Sequence, residues 1–250
     1  MKIAVQMYTL RNEAEQDYTG TLKRVAEIGY DGVELAGYGG LTADELKKEL
    51  DFLGLQAAAS HIPLDRLKND IQSVIEEQKT LNCHHIVCPF IQEDVRDKKG
   101  YEELVNILNK AGEEAGRSGI TLSYHNHDFE LHPLPDGTVP LEYLFDNTNP
   151  DWVQAEFDVY WLKKGGSDPL GWLDKYQSRM KLIHLKDMTT DGEKFFAELG
   201  TGGLNIEEIC KKTESIPLDW WIVEQDQSRK TPFESIEESL RYLNRRNTNA

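Results

Sequence analysis

The chain has 250 residues, with 28 Lys and Arg against 44 Asp and Glu, a formal net charge of −16. With 39% apolar and 29% charged residues it has the composition of a folded globular protein rather than a disordered one. The charge argues against a general nucleic-acid binder and against docking on anionic lipid, since both need a basic footprint.

The predicted elements alternate from the first residues onward. Lys2–Tyr8 is a strand, and Tyr18–Ile28 has helical spacing through Leu22, Val25, Ala26 and Ile28, ended by Gly29. Gly32–Ala36 is a second strand, followed by a helix over Ala43–Leu53 that Gly54 ends. Leu55–Ser60 and a helix over Leu64–Leu81 make a third unit; His85–Pro89 and Tyr101–Arg117 make a fourth. Ile120–Tyr124, after Gly119, precedes a short helix over Leu141–Asp146. Val153–Asp158 pairs with a helix over Pro169–Tyr176, and Lys181–Leu185 with Ile206–Lys212. Trp220–Glu224 and Phe233–Leu243 close the series, and the polar stretch Asn244 to Ala250 is expected to fray.

Eight strand–helix units argue for parallel pairing, because parallel strands need crossovers. The expected fold class is α/β, a single (β/α)8 TIM barrel occupying residues 1–250 as one domain. A doubly wound open sheet is the rival, but it usually carries a Gly-rich turn after its first strand. Here the first strand runs into Met7-Tyr8-Thr9-Leu10-Arg11. Two connections are long, from His125 to about Val139 and from Lys186 to about Asn205, and both leave C-terminal strand ends.

No apolar run approaches the roughly 18 residues of a membrane span. Met1 to Leu10 lacks a basic segment followed by an uninterrupted apolar core, so no signal peptide is expected. The three cysteines, Cys83, Cys88 and Cys210, are odd in number and form no CxxC. They fit reduced structural thiols and a cytoplasmic location, with a catalytic thiol as the lesser alternative.

In a barrel, polar residues at the C-terminal strand ends converge on one cup. Asp158, His184 and Glu224 each close an apolar strand, where a charge is costly unless it is paired or bound to a cation. Any one of them alone fits a satisfied structural group equally well. Two carboxylates and an imidazole on consecutive strands favour a divalent metal.

Gly29-Tyr30-Asp31-Gly32-Val33-Glu34, Tyr124-His125-Asn126-His127-Asp128-Phe129-Glu130 and Glu156-Phe157-Asp158-Val159-Tyr160-Trp161 recur in order with His184-Leu185-Lys186-Asp187 and the turn Gly200-Thr201-Gly202-Gly203. In this order and spacing the chain resembles the xylose-isomerase-like barrel family of sugar phosphate isomerases and epimerases, over essentially its whole length. The resemblance implies one divalent ion, manganese, cobalt, magnesium or zinc, held by Glu, Asp, His and Glu from strands five to eight. Asp158, His184 and Glu224 match the last three. The strand-five glutamate falls on a Tyr-His-Asn run, so Glu130 is taken as the fourth ligand, with His125 or His127 as its alternatives.

The resemblance further implies Glu130, Glu224, His125 and Lys186 as catalytic groups, and Glu34, His61, His127, Glu156 and Trp161 as substrate contacts. Trp161 stands where many relatives have a histidine; it fits a sugar-stacking ring or ordinary rim packing equally. Glu156 fits a buried carboxylate tied to a lysine better than a catalyst, and Lys186 fits an oxyanion-binding group or a salt bridge to Asp187. His84 and His85 are adjacent and read as structural. The implied activity is a sugar isomerase or epimerase that abstracts a proton next to a carbonyl through an enediolate. A dehydratase or lyase acting on a keto sugar or inosose through the same enediolate is the alternative. A nuclease like endonuclease IV fits poorly with 7 histidines and a charge of −16, and a non-catalytic sugar-binding barrel fits poorly with the Asp158, His184, Glu224 set. The expected partner is a small sugar or polyol, with no nucleic acid and no membrane. A homo-oligomer agrees with the resemblance, and no residue here fixes it.

Overall fold

The computed structural model describes residues 1–248. Its strands are β1 (Lys2–Gln6), β2 (Gly32–Leu35), β3 (Gln56–His61), β4 (His85–Cys88), β5 (Thr121–His125), β6 (Val153–Asp158), β7 (Met180–Leu185), β8 (Asp187–Met188), β9 (Phe196–Ala197) and β10 (Trp220–Val223). Eight of them close into a parallel barrel in the order β1-β10-β7-β6-β5-β4-β3-β2, while β8 and β9 form a separate antiparallel hairpin. The fold is the (β/α)8 TIM barrel that the alternation of elements predicts.

The helices are α1 (Arg11–Gln16), α2 (Tyr18–Ile28), α3 (Ala43–Leu53), α4 (Leu64–Asn69), α5 (Ile71–Leu81), α6 (Lys98–Gly116), α7 (Pro140–Asn147), α8 (Val159–Lys164), α9 (Pro169–Tyr176), α10 (Ile206–Thr213) and α11 (Pro232–Thr248). Their boundaries follow local chemistry. Gly29 ends α2 at φ 105°, a conformation that disfavours any residue with a Cβ. Thr42 and Glu45 form a reciprocal capping box at the start of α3.

Beyond shifts of a few residues at strand and helix ends, the structure departs from the sequence reading in four places. The helix expected over Leu64–Leu81 is two helices, broken at Asp70, whose φ of −143° leaves the helical range. α8 follows β6 without a loop, because Asp158 Oδ1 accepts the Trp161 N–H and caps it. The long connection after β7 contains the β8–β9 hairpin. α11 runs to Thr248 instead of fraying at Asn244: Arg246 pairs with Glu207 and Glu214 and lies over the Trp221 ring. Residues 249 and 250 lie outside the described residues.

Most of the core lies between the barrel and its helices. A smaller cluster, Ala4, Ala58, Ala59, Val87, Leu182, Trp220 and Ile222, fills the barrel itself. The ladder is regular except at two places, between Val33 and Glu34 on β2 and between Ala155 and Glu156 on β6. Each time the partner strand carries one extra residue, Ala58 on β3 and Lys181 on β7. Such bulges re-aim side chains, and both fall immediately before a buried glutamate. The three cysteines are buried and form no disulfide. No described helix is long and apolar enough to cross a membrane.

Candidate metal centre

Side chains alternate along a strand, so a residue two places beyond an inward apolar one also points inward. Gln6 thus follows Ala4, His184 follows Leu182, and Glu224 follows Ile222. Glu34, His61, His125, Glu156 and Asp158 join them at the C-terminal mouth of the barrel. Strand register sets His125 opposite Glu156, and Asp158 opposite His184.

The layer has an outer and an inner half, and two imidazoles divide it. On the outer side, one ligand atom each from His125, Asp158, His184 and Glu224 lies within 4.8 Å of the others. His184 Nδ1 is 2.8 Å from Glu224 Oε2 and 4.0 Å from Asp158 Oδ2, and His125 Nε2 is 3.9 Å from Asp158 Oδ2. On the inner side, His184 Nε2 is 2.5 Å from Glu34 Oε2 and 3.2 Å from Glu156 Oε2. His125 Nδ1 is 3.2 Å from Glu156 Oε2. His61 Nε2 is 3.3 Å from both glutamates, and its ring stacks on that of His184 at 5.8 Å. Gln6 Nε2 donates to Glu34 Oε2 at 2.7 Å.

Lys186 brings the one buried ammonium among the described residues. Its Nζ is 2.8 Å from Asp158 Oδ2, 2.7 Å from Glu224 Oε2 and 2.8 Å from Asp226 Oδ2. Burial alone would raise the Glu224 carboxyl, but Lys186 and His184 hold it well below the usual carboxylate range. Asp158 goes the other way: burial pushes it up to about 6 against the pull of the same lysine. Burial opposes protonation of His184, yet the charges of Glu156 and Glu34 raise it well above its ordinary value. His125, buried and next to other cationic groups, is held well below it.

The donors fit a divalent cation. Glu34, Glu156, Asp158 and Glu224 are each at most 5% exposed, with a single fixed positive charge among them. Asp158 Oδ2 accepts no well-directed hydrogen bond, although Lys186 Nζ is near it. Each carboxylate oxygen has two lone-pair directions, so Asp158 Oδ2 and Glu224 Oε2 can face Lys186 and a cation together. Two imidazole nitrogens and two carboxylates suit zinc, cobalt or manganese better than magnesium, which prefers oxygen ligands and water.

The family described as xylose isomerase-like TIM barrel matches residues 22–246. The chain belongs to this family. An inosose dehydratase 2 of Bacillus cereus is 25% identical over 270 residues, covering 92% of this chain and 90% of that relative. An inosose dehydratase of Lacticaseibacillus casei is 29% identical over 162 residues; the match takes in 57% of this chain and about half, 53%, of the relative. The crystal structure of a sugar phosphate isomerase/epimerase from Parabacteroides distasonis ATCC 8503 superposes with a TM-score of 0.84 at 29% identity, covering 97% of this chain and 93% of that one.

Within the family's frame, the barrel gathers Asp158, His184, Glu224, His125, Lys186, Glu34, His61 and Glu156. It does not bring in Glu130. The 3-10 turn Phe129–Leu131 carries that carboxylate back outside the barrel, where it accepts from Tyr124 Oη at 2.7 Å and the His127 N–H at 2.8 Å. His125 occupies the fourth corner instead, because strand parity turns it inward and Tyr124 outward. Glu34 and Glu156 are fully buried against the imidazoles of His61 and His184, and Glu156 lies one pleat period before Asp158 on β6. His127 and Trp161 form a wall, with ring centres 5.2 Å apart, and His127 Nδ1 and Trp161 Nε1 have no hydrogen-bond partner.

Four supporting roles escaped the sequence reading. Gln6 and Asp226 stand at inward parity with Ala4 and Glu224, and that parity was the available signal. Asn126 Oδ1 accepts the Asp158 N–H and ties β5 to β6. Asp187 accepts the backbone N–H groups of Met188, Gly200, Gly202 and Leu204, and a Cβ on Gly202 would collide with that carboxylate. The Gly200-Thr201-Gly202-Gly203 turn is thus folded around Asp187.

Proposed function

We propose that this protein is a divalent-metal-dependent enzyme that removes a proton next to the carbonyl of a keto sugar or inosose and then expels water. His125, Asp158, His184 and Glu224 would hold the ion, which when bound polarises the carbonyl as a Lewis acid. Glu224, kept ionised by Lys186 and His184, takes the proton from the carbon beside the carbonyl. Lys186 carries a buried positive charge 2.7 Å from that carboxylate and stabilises the oxyanion that develops. The enediolate electron pair then expels hydroxide from the next carbon, and protonated Glu224 returns its proton to make water. Trp161 and His127 offer an apolar wall to the ring face of the substrate.

The pairing of Glu224 with Lys186 at the mouth of the barrel carries this reading. The likeness to inosose dehydratases supports the outcome. A sugar isomerase or epimerase, favoured by the likeness to the Parabacteroides distasonis structure, uses the same first step and returns the proton to carbon. Epimerisation needs a second group on the opposite face of that carbon. Glu130, the other carboxylate that the resemblance implies as catalytic, is bound to Tyr124 and the His127 backbone, so elimination has the better support.

The test is incubation with an inosose in D2O after loading with manganese, cobalt or zinc. Loss of water that EDTA and Glu224→Gln both abolish is the expected result. Deuterium entering the recovered ketose without loss of water would make the protein an isomerase or epimerase. No reaction, with no metal taken up, would overturn both readings.

A further inference from the structure

Glu34 and Glu156 have no surface from which to touch a substrate, yet both are ordered against the imidazoles that face the cup. Each of the two imidazoles has one nitrogen on each side of the layer. His184 presents Nδ1 to Asp158 and Glu224, and Nε2 to Glu34 and Glu156. His125 presents Nε2 to Asp158 and Nδ1 to Glu156. Carboxylates lie on both sides of the His184 ring, and an ionised carboxylate only accepts; a cation held by Asp158 and Glu224 would take the outer nitrogen and leave the proton on the inner one, facing Glu34 and Glu156. A neutral imidazole with its inner nitrogen protonated has a lone pair on the outer one. The two bulges of the barrel, before Glu34 and before Glu156, put both carboxylates under those rings.

We infer that Glu34 and Glu156 are positioning residues, which fix the tautomer and orientation of His184 and His125 so that His184 Nδ1 and His125 Nε2 face the metal. His61, within 3.3 Å of both glutamates, is the donor that lets two carboxylates share this buried space. This rests on the metal reading above. The inner group also has the makings of a second cation site, since His61, His125, Glu156 and His184 can converge on one point. That would require both nitrogens of His125 and of His184 to lose their protons at once, so a single ion with carboxylate-held imidazoles is the better account.

The test compares the full-length wild type with Glu34→Gln and Glu156→Gln, isosteric changes that keep an acceptor but remove the charge. Cobalt(II) stoichiometry and affinity are measured against a chromophoric chelator, and histidine tautomers by long-range 1H–15N spectra of the zinc-loaded protein. One ion per wild-type chain is expected, with affinity falling about 10–100-fold in each variant, the usual effect of losing such an outer partner. The wild-type spectra should show His184 protonated at Nε2 and His125 at Nδ1, and that readout needs no variant to fold. Affinity unchanged in both variants, or the opposite tautomers, would overturn the inference. Two ions per wild-type chain, one of them lost in Glu156→Gln, would make these residues ligands and also overturn it. A wild type that binds no cobalt or zinc would instead remove the metal reading itself.

Discussion

The two ends of the barrel interior are built on the same strands with the same pleat, and they hold opposite chemistry. The lower end is closed by small and apolar groups, Ala4, Ala58, Ala59, Leu182 and Ile222 above Trp220. One pleat period further along, Gln6, His184 and Glu224 take the same inward direction. Below, each side chain is satisfied by contact alone. Above, Glu34 Oε1 and Glu156 Oε1 are buried without any hydrogen-bond partner, and one ammonium faces three carboxylates. Buried charge of one sign destabilises a fold, so the upper layer is held in place by the rest of the barrel. The lower end is a stability region and the upper end is where stability is given up for chemistry.

The sharpest way to break this contrast is a pair of substitutions on the last barrel strand. Glu224→Gln should lower turnover by about 10²–10⁴-fold, the usual weight of a general base. Its denaturation midpoint should fall as well, because Lys186 and His184 favour the charged form of this carboxylate in the folded chain; an unchanged midpoint would mean that these pairs add nothing to stability. Ile222→Ala, two residues earlier, should cost about 2–5 kcal/mol in chemical denaturation while leaving metal content unchanged. Lys186→Met probes the boundary between cation and ammonium. Removing a positive charge a few Å from a divalent ion should tighten its binding roughly tenfold or more, since such pairs interact by about 4 kcal/mol near 4 Å. The metal-free variant should melt below the wild type and recover when the ion is added. Equal affinity in calorimetric titration would show that Lys186 and the ion do not share these oxygens.

The smallest effect belongs to Glu130, buried but outside the barrel. Burial pushes its carboxyl up to about 7 against the hydrogen bonds from Tyr124 and His127. Between its ordinary value and about 7 the folded chain holds a proton that the unfolded chain has lost. Its contribution to stability therefore falls as pH rises through that window, by at most about 1.4 kcal/mol per pH unit, and levels off above it. Glu130→Gln lacks that slope, so the difference between wild type and variant should drift toward the variant from pH 5 to pH 7. A constant difference across urea titrations at several pH values would refute it.

The barrel was legible because eight apolar runs alternate with helical periodicity and because glycines such as Gly29 and Gly54 stop the helices where expected. Asp158, His184 and Glu224 were legible because charge closes apolar strands there. The place of Glu130 was not, since a turn of three residues decides it: counting from His125 along the chain says nothing about a chain that reverses at Phe129. Glu34 and Glu156 looked like cup residues from their strands alone. Their depth depends on two bulges, which arise from pairing between strands and leave no mark in either strand's own pattern.

The carboxylate of Asp187 has a consequence for how a substrate would arrive. Barrel mouths often carry loops that close over a ligand, and closure adds an ordering step to binding. Here the segment from Met188 to Leu204 is already tethered by four backbone donors to one buried side chain. The ordering of the two ends of this segment is therefore part of folding and is not left for the encounter. The tether also anchors the backbone next to Lys186, so the reach of that ammonium is set by its own rotamers and not by loop motion. On this side of the mouth the rim is a preformed wall.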